Sequence, residues 1–132
     1  MTRIDASLIT RSWRKVDIKL SIDGKLHVLR WRRGWFVDEV LFDDRRIATS
    51  TGLFGREAMF GLDLKTEAGE AVRLLFSVDG EPVWNDWTGE MRPRGVRLET
   101  ADEELIAFGS LGGARRVPFE ALFGAARSVH GL

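Results

Sequence analysis

The chain has 132 residues and a mass of 14.9 kDa, which is the size of one domain, and we expect residues 1–132 to form it. Hydrophobic residues make up 44% and charged residues 30%, a mixture that excludes a disordered or collagen-like chain. Lys and Arg number 20 and Asp and Glu number 20, so bulk electrostatic capture of nucleic acid is not expected. The chain has no cysteine, which excludes disulfides, thiolate metal sites and cysteine nucleophiles.

The first residues are polar and charged, with Arg3 and Asp5 close to the start. No apolar core of a secretory signal can form there. No apolar stretch in the sequence approaches the roughly 20 residues needed to cross a bilayer. We therefore expect a cytoplasmic location and no membrane partner.

Charge is unevenly distributed along the neutral chain. Residues 1–34 contain nine Lys and Arg against three acids, a net charge of +6, whereas residues 35–91 contain five against twelve, a net charge of −7. If the two segments face different sides, the molecule is a dipole. If they supply neighbouring strands, the charges pair across the strands. The second arrangement is the more common one in a small sheet protein, and we expect it here.

The clearest structural signal is a pair of apolar runs around Asp23-Gly24. Apolar and polar residues alternate over 15–22, the pattern of a half-buried strand, and a second run with Leu26, Val28 and Trp31 follows the Asp-Gly pair. Asp-Gly between two such runs predicts a β-hairpin, because glycine reaches positive φ without steric strain.

The loop length decides which residues of this hairpin face the core. A two-residue turn would pair Leu20 with His27, and a three-residue loop with a bulge would pair Leu20 with Leu26. We expect the bulged loop, because it buries Leu26 and Val28 and leaves Lys25 and His27 outside.

Further short runs with the same period continue along the chain. Turn residues such as Asp43-Asp44, Gly69 and Asp79-Gly80 separate them, and Phe76 lies on the apolar face of its run. The runs predict strands over 35–42, 45–51, 59–64, 72–78, 96–100 and 105–109.

The period changes near the C-terminal end. Pro118 suits a first helical turn, and the apolar residues that follow it are spaced i, i+3, i+4 and i+7. This predicts an amphipathic helix near 118–127, packed on the open end or an edge of the sheet. The predicted fold class is therefore all-β: an antiparallel β-sandwich or flattened barrel of about eight strands with one C-terminal amphipathic helix.

The order of these elements resembles the Fas apoptotic inhibitory molecule family. The resemblance spans roughly residues 13–83. After Trp87 the chain departs from that family, which continues into further β structure where this chain is predicted to turn to a helix. It implies a β-sandwich that acts through contacts with other proteins and has no catalytic residues, and no functional residue is carried over. The matching segments are Val16–Leu29 around Ile22-Asp23-Gly24-Lys25, Val40–Arg45, Phe60–Leu64 and Leu74–Gly80.

Two tryptophan-containing segments are candidate binding sites. Arginine beside tryptophan can stack on planar groups or hold anions, and the run WNDW could form a platform for a sugar or planar ligand. The alternative is that these tryptophans fill the core or anchor a turn to it while the arginines remain solvated, which is the commoner role of aromatic residues in strands. Only convergence of the tryptophans would make a binding cleft. The candidate residues are Trp31, Arg32, Arg33, Trp35, Trp84 and Trp87.

Other motifs are weaker. The glycine-rich run 109–116 resembles an anion-binding loop but lacks the lysine of a P-loop, and Ser110 is not in the context of a catalytic serine. His27 is interpreted as a solvated or hydrogen-bonded strand residue, and His130 as part of a fraying tail. The acidic pairs 38–39, 43–44 and 103–104 are interpreted as solvated, since adjacent strand residues point to opposite faces. No metal or cofactor is expected.

Three functions remain open. The favoured one is a non-enzymatic protein-interaction module with a protein partner or self-association, through the sandwich surface or edge strands. The alternative is a binder of a small apolar, sugar or anionic ligand in a cleft lined by tryptophan and arginine. A carboxylate-based hydrolase is third, and nucleic acid is the least favoured partner.

Overall fold

The alternating runs form strands, as the sequence predicts. A computed structural model describes residues 2–34, 37–50, 58–79, 84–111, 118–125 and 127–129. Four predicted features lie wholly or partly outside the described residues: the candidate residue Trp35, Gly80 of the predicted Asp79-Gly80 turn, residues 112–116 of the glycine-rich run, and His130.

The first sheet is a five-stranded antiparallel meander in which each strand pairs with the next one in the chain. The predicted turn at Asp43-Asp44 is confirmed, with φ of 50° and 65° at the two residues. The strands are β1 (Ile4–Arg11), β2 (Lys15–Ile22), β3 (Lys25–Arg33), β4 (Asp38–Phe42) and β5 (Arg45–Ser50).

The second sheet also has five strands, and a separate two-stranded hairpin interrupts its chain order. The elements are β6 (Ala58–Lys65), β7 (Ala71–Val78), the hairpin strands β8 (Trp84–Asn85) and β9 (Glu90–Met91), then β10 (Val96–Glu99) and β11 (Glu104–Phe108), a 3-10 turn at Gly109–Leu111, the helix α1 (Phe119–Ala125) and β12 (Arg127–Val129). The order across the sheet is β11-β10-β7-β6-β12, and β12 runs parallel to β6.

The core lies between the inner faces of the two sheets. Apolar side chains from both sheets form one buried cluster there, so the all-β, sandwich-like fold class is confirmed. The described chain contains more strands than the eight that the sequence predicts, because β1, β12 and the β8–β9 hairpin were not predicted.

The predicted bulge in the first hairpin is wrong. Asp23 and Gly24 form a two-residue turn with φ of 51° and 82°, the signature of a type I′ turn. Leu20 therefore pairs with His27, and Leu26 faces solvent with 63% of its surface exposed.

The reason for this register lies farther along the same strand. With the two-residue turn, Leu29 pairs with Ile18, and Trp31 pairs with Val16, so both side chains enter the core. A shift of one residue would reverse the faces of β3 and put Arg30 into the core instead. Burying a leucine and a tryptophan outweighs exposing Leu26.

Strand β1 was not predicted, although partly buried and exposed residues alternate along most of it. Ile4, Ala6 and Leu8 pack against the core, but alanine is a weak marker of period two. A bulge between Leu8 and Thr10 then leaves Ile9 exposed, which breaks the alternation in the sequence.

The helix α1 lies within the predicted range 118–127, but its predicted position on an end or edge is wrong. It covers the outer face of the second sheet, where Phe123 is buried with Leu75. The close approach depends on Gly61, since a Cβ at this position would lie 3.2 Å from the Phe123 ring. Arg73 of β7 lies over the same ring, 4.0 Å from its centroid.

The uneven charges pair across strands, as expected. Arg32 of the basic segment donates to Glu39 of the acidic segment at 3.0 Å, and Arg30 bridges Asp17 at 2.6 Å and Asp44 at 3.4 Å. These pairs lie on the outer face of the first sheet, which leaves its inner face free for apolar packing.

Candidate functional site

Of the described candidate tryptophans, the structure places Trp31 apart from Trp84 and Trp87. Trp31 is 1% exposed in the core between the sheets, so it is not a surface residue for ligand binding. Trp84 and Trp87 lie on the β8–β9 hairpin, outside both large sheets. A cleft lined by tryptophan and arginine is therefore not formed by the described members of the predicted set.

The two candidate arginines have partners within the fold. Arg32 donates to Glu39 at 3.0 Å, and this bond, together with a second one from Arg46, lowers the pKa of Glu39 below its ordinary value. Arg33 lies over the ring of Trp13, 5.7 Å from its centroid, and Arg14 lies at the same distance from that ring.

Sequence analysis did not select Trp13 as a candidate. The signal that could have found it is the arginine that follows it, Arg14, since arginine beside tryptophan is the combination that marked the candidate segment. Arg14 and Arg33 sit just beyond the last pair of the β2–β3 ladder, where the backbone N–H of Arg33 donates to the carbonyl of Arg14 at 2.9 Å. The Trp13-Arg14 pair, which lies just before β2, therefore stands directly beside Arg33. The interaction is a cation–π cluster that joins these two strands at one end of the sandwich.

Asp38 lies at this same end and is less solvated than predicted. Burial raises the pKa of the Asp38 carboxyl, and Arg94, the Trp31 indole and Arg33 lower it by smaller amounts, so the pKa stays above its ordinary value. The neighbouring Glu39 points to the outer face, as predicted for adjacent strand residues.

The β8–β9 hairpin, residues 84–91, presents two exposed indoles and is called here the tryptophan hairpin. Trp87 is 98% exposed and Trp84 is 56% exposed, so the prediction that they anchor a turn to the core is wrong. Asn85 fixes the turn: its side-chain oxygen accepts the N–H of Trp87 at 2.9 Å, and its backbone carbonyl accepts the N–H of Gly89 at 2.9 Å. Gly89 has a φ of 70°, which suits glycine.

A cavity of about 530 Å³ opens at the other end of the sandwich, where the β2–β3, β4–β5 and β6–β7 turns meet. We call it the turn-end cleft. Its floor is formed by core residues from both sheets, namely Ile22, Phe42, Leu64 and Val72. The sheets therefore leave an apolar opening at the end where three of their hairpins turn.

A histidine–aspartate pair forms one wall of the turn-end cleft. The His27 ring stacks on Phe42 with 4.8 Å between centroids, and its Nδ1 lies 2.6 Å from Asp43 Oδ2. The other oxygen of Asp43 accepts the N–H of Val28 at 2.9 Å. His27 is thus hydrogen-bonded, one of the two roles that the sequence predicts for it.

These bonds set the charge state of Asp43. Burial by itself would raise the pKa of the Asp43 carboxyl, but the hydrogen bonds from His27 and from the Val28 N–H outweigh it, so the pKa lies below its ordinary value. The carboxylate is therefore ionised and held in place at neutral pH.

The rim of the turn-end cleft carries charges from both sheets. Lys25, beside the β2–β3 turn, pairs with Glu67 of the β6–β7 turn, and this pairing lowers the pKa of Glu67. Lys65 lines the same rim and makes no ion pair with any residue in the described ranges. Sequence analysis did not predict this grouping, because the residues come from three separate turns.

We expect Asp43→Asn to flatten the acid dependence of stability. Asparagine keeps the shape and tolerates the φ of 50°, but it cannot pair as an anion with His27. Because the folded pKa of Asp43 is lowered, its contribution is complete above the unfolded value of about 4 and is lost as the pH falls through the folded pKa. The variant should be less stable by about 0.5–1 kcal/mol at pH 6, an amount discounted for solvent screening.

Urea unfolding between pH 3 and pH 6 checks this prediction. The stability curves of the Asp43→Asn variant and the unmodified chain should converge as the pH falls. Asp86→Asn on the tryptophan hairpin is the control and should run parallel to the unmodified chain. Parallel curves for Asp43→Asn as well would contradict the role assigned to the His27–Asp43 bond.

Within the described ranges, no group of three or more His, Cys, Asp or Glu side chains is placed to hold a metal ion. No helix in the same ranges has the length and apolar character needed to cross a membrane. Comparison with known protein families, curated proteins and solved structures gives no match for this chain.

Proposed function

We propose that this chain is a non-enzymatic protein-interaction module whose contact element is the tryptophan hairpin. The observation that carries the proposal is the exposure of Trp87, at 98%, beside Trp84 at 56%. Trp is one of the residue types enriched in binding hot spots, because one side chain buries a large apolar area.

The geometry of the hairpin suits recognition by a protein. Its strands pair with each other and with neither large sheet, and the turn residues 86–89 are exposed. The two hydrogen bonds of Asn85 hold the turn before a partner binds. A preformed turn reduces the entropy lost on association.

The chemistry of the hairpin defines the partner. An indole needs an apolar pocket, and the exposed acids Asp86 and Glu90 beside it favour a pocket with a basic rim. The resemblance to the Fas apoptotic inhibitory molecule family also supports contacts with proteins. The absence of cysteine suits a reducing compartment, and we propose the cytoplasm.

Site-specific photo-crosslinking in the cells that make the protein tests this function. A photoreactive phenylalanine analogue at position 87 should give a discrete adduct, whereas the same analogue in place of the exposed Leu26 should not. Trp84→Ser should reduce the yield of that adduct about tenfold or more, because a hot-spot side chain contributes more than about 1.4 kcal/mol.

The mass of the adduct identifies the partner. An adduct of twice the chain mass shows that the partner is a second copy and makes self-association the function of the hairpin. Identical adduct patterns from positions 87 and 26, or no adduct from position 87, would contradict the proposal.

A further inference from the structure

We propose that the turn-end cleft is a binding site for a small carboxylic acid with an apolar tail, such as a medium-chain fatty acid. Its volume of about 530 Å³ falls within the range of about 300–1,000 Å³ typical of small-molecule sites. The site goes beyond the proposed protein contact, which uses the tryptophan hairpin.

The floor of the cleft fits an aliphatic tail. Ile22 and Phe42 come from the first sheet, and Leu64 and Val72 from the second, so a tail in the cleft contacts both sheets. These side chains carry no polar group that would need a hydrogen bond from a ligand. An apolar tail therefore gains from leaving water and leaves no polar group of the floor unpaired.

The charges at the rim select an anionic head group. Each carboxylate that faces the cleft already has a partner: Asp43 bonds to His27, Glu67 pairs with Lys25, and Asp23 accepts the backbone N–H of Arg3 at 2.8 Å. A cationic ligand would have to displace one of these partners.

One cation at the rim remains available to a ligand. Lys65 is exposed and has no ion-pair partner among the described residues. A carboxylate placed at the rim meets the ammonium group of Lys65, and the charge-assisted hydrogen bond between them replaces hydrogen bonds to water.

The position of the cleft separates this site from the tryptophan hairpin. The cleft lies at the end where the β2–β3, β4–β5 and β6–β7 turns meet, whereas the hairpin leaves from the opposite end, after β7 ends at Val78. The backbone there is joined by the bond from the N–H of Asp79 to the carbonyl of Gly95, at 2.8 Å. Binding of a ligand in the cleft does not depend on occupancy of the hairpin, and the two proposals fail independently.

Amide NMR titration with octanoate tests the site. Octanoate at millimolar concentration should shift the amide signals of residues that surround the cleft, including Gly24, Phe42 and Leu64, and leave those of the tryptophan hairpin unchanged. Lys65→Gln should raise the dissociation constant about fivefold or more, since a charge-assisted contact is lost. Lys19→Gln, which removes an exposed lysine from the outer face of β2, should change it less than about twofold.

Two further ligands separate the head from the tail. 1-Octanol keeps the tail without the charge, and butyrate keeps the charge with a shorter tail; both should bind several-fold more weakly than octanoate. Equal binding of octanol and octanoate would overturn the assignment of an anionic head. Shifts confined to residues outside the cleft, or an unchanged dissociation constant in Lys65→Gln, would overturn the site itself.

Discussion

Replacing Phe76 with alanine should lower the free energy of unfolding by about 3–5 kcal/mol. Phe76 is fully buried in β7, and its ring lies 6.2 Å from that of Phe60 on the neighbouring strand. It pairs with Phe60 on one side and with Leu98 on the other, so three consecutive strands of the second sheet hold it in place. Truncation leaves a cavity between two sheets that cannot collapse without moving these strands.

Urea denaturation at neutral pH measures this loss. The transition midpoint should fall while the slope stays unchanged, because the same surface is exposed on unfolding. Phe108→Ala is the matched control: this phenylalanine lies in the edge strand β11, is partly exposed, and should lose about 1 kcal/mol or less. A loss below about 1 kcal/mol for Phe76→Ala would mean that the ring does not support the packing between the sheets.

The sequence could predict most of the strands because their two faces meet different surroundings. In β2, Val16, Ile18 and Leu20 face the core and Lys15 and Lys19 face water, so burial appears directly as period two. The same logic located β6 and β7. Fold class followed because several such half-buried strands with short turns can hide their apolar faces only by stacking.

The register of the first hairpin could not be read from its turn. Asp23-Gly24 is compatible with two loop lengths, and the nearest apolar residue, Leu26, favours the wrong one. The decision is made by Arg30 and Trp31, which lie on opposite faces of β3. A register change of one residue would exchange them, with Arg30 in the core and Trp31 in solvent. The alternating pattern on both sides of Asp23-Gly24 therefore predicts the hairpin. Packing at the far end of β3 decides which of its side chains face the core.

The candidate site was less accessible to sequence analysis than the fold. The turn-end cleft gathers residues from turns that are about 20 residues apart in the chain, and turn residues look the same whether or not they border a cavity. His27 and Asp43 carry no mutual signal in the sequence. They meet because β3 and β4 are neighbours, and the pairing of Leu29 with Phe42 brings the His27 side chain beside the β4–β5 turn.

The tryptophans also show that sequence patterns do not decide which side chains are exposed. An aromatic residue in a short strand predicts burial, and this holds for Trp31. It does not hold for Trp84 and Trp87, because their hairpin is too short to cover itself and pairs with neither sheet. These indoles are exposed because their hairpin lies outside both large sheets. Amino-acid composition and residue spacing do not show where the hairpin lies.

Arg94 lies at the end of the sandwich opposite the turn-end cleft and supports that end from within. It is a cation that is only 4% exposed, and its pKa lies below its ordinary value because of burial and the nearby Arg33 charge, with Asp38 and Asp79 acting in the other direction. Burial of an arginine is tolerated when its donors are satisfied.

The donors of Arg94 are satisfied by two separate segments of backbone. Nε donates to the carbonyl of Trp13 at 3.0 Å and Nη1 donates to the carbonyl of Asp79 at 2.9 Å. The guanidinium also lies over the ring of Trp31, 5.3 Å from its centroid. One side chain thus ties the β1–β2 connection to the end of β7, across the two sheets.

Arg94→Ala should therefore lower the free energy of unfolding by about 3–5 kcal/mol, because it leaves two carbonyls without their donor and removes the stem that packs beside Trp31. Arg92→Ala is the matched control, since Arg92 is exposed two residues away, and it should change stability by less than about 0.5 kcal/mol. Arg94→Lys keeps the charge but not the planar fork that reaches both carbonyls, so it should fall between the two. Urea unfolding of the three variants at neutral pH measures this order, and equal losses for Arg94→Ala and Arg92→Ala would show that the two carbonyl bonds do not hold the sheets together.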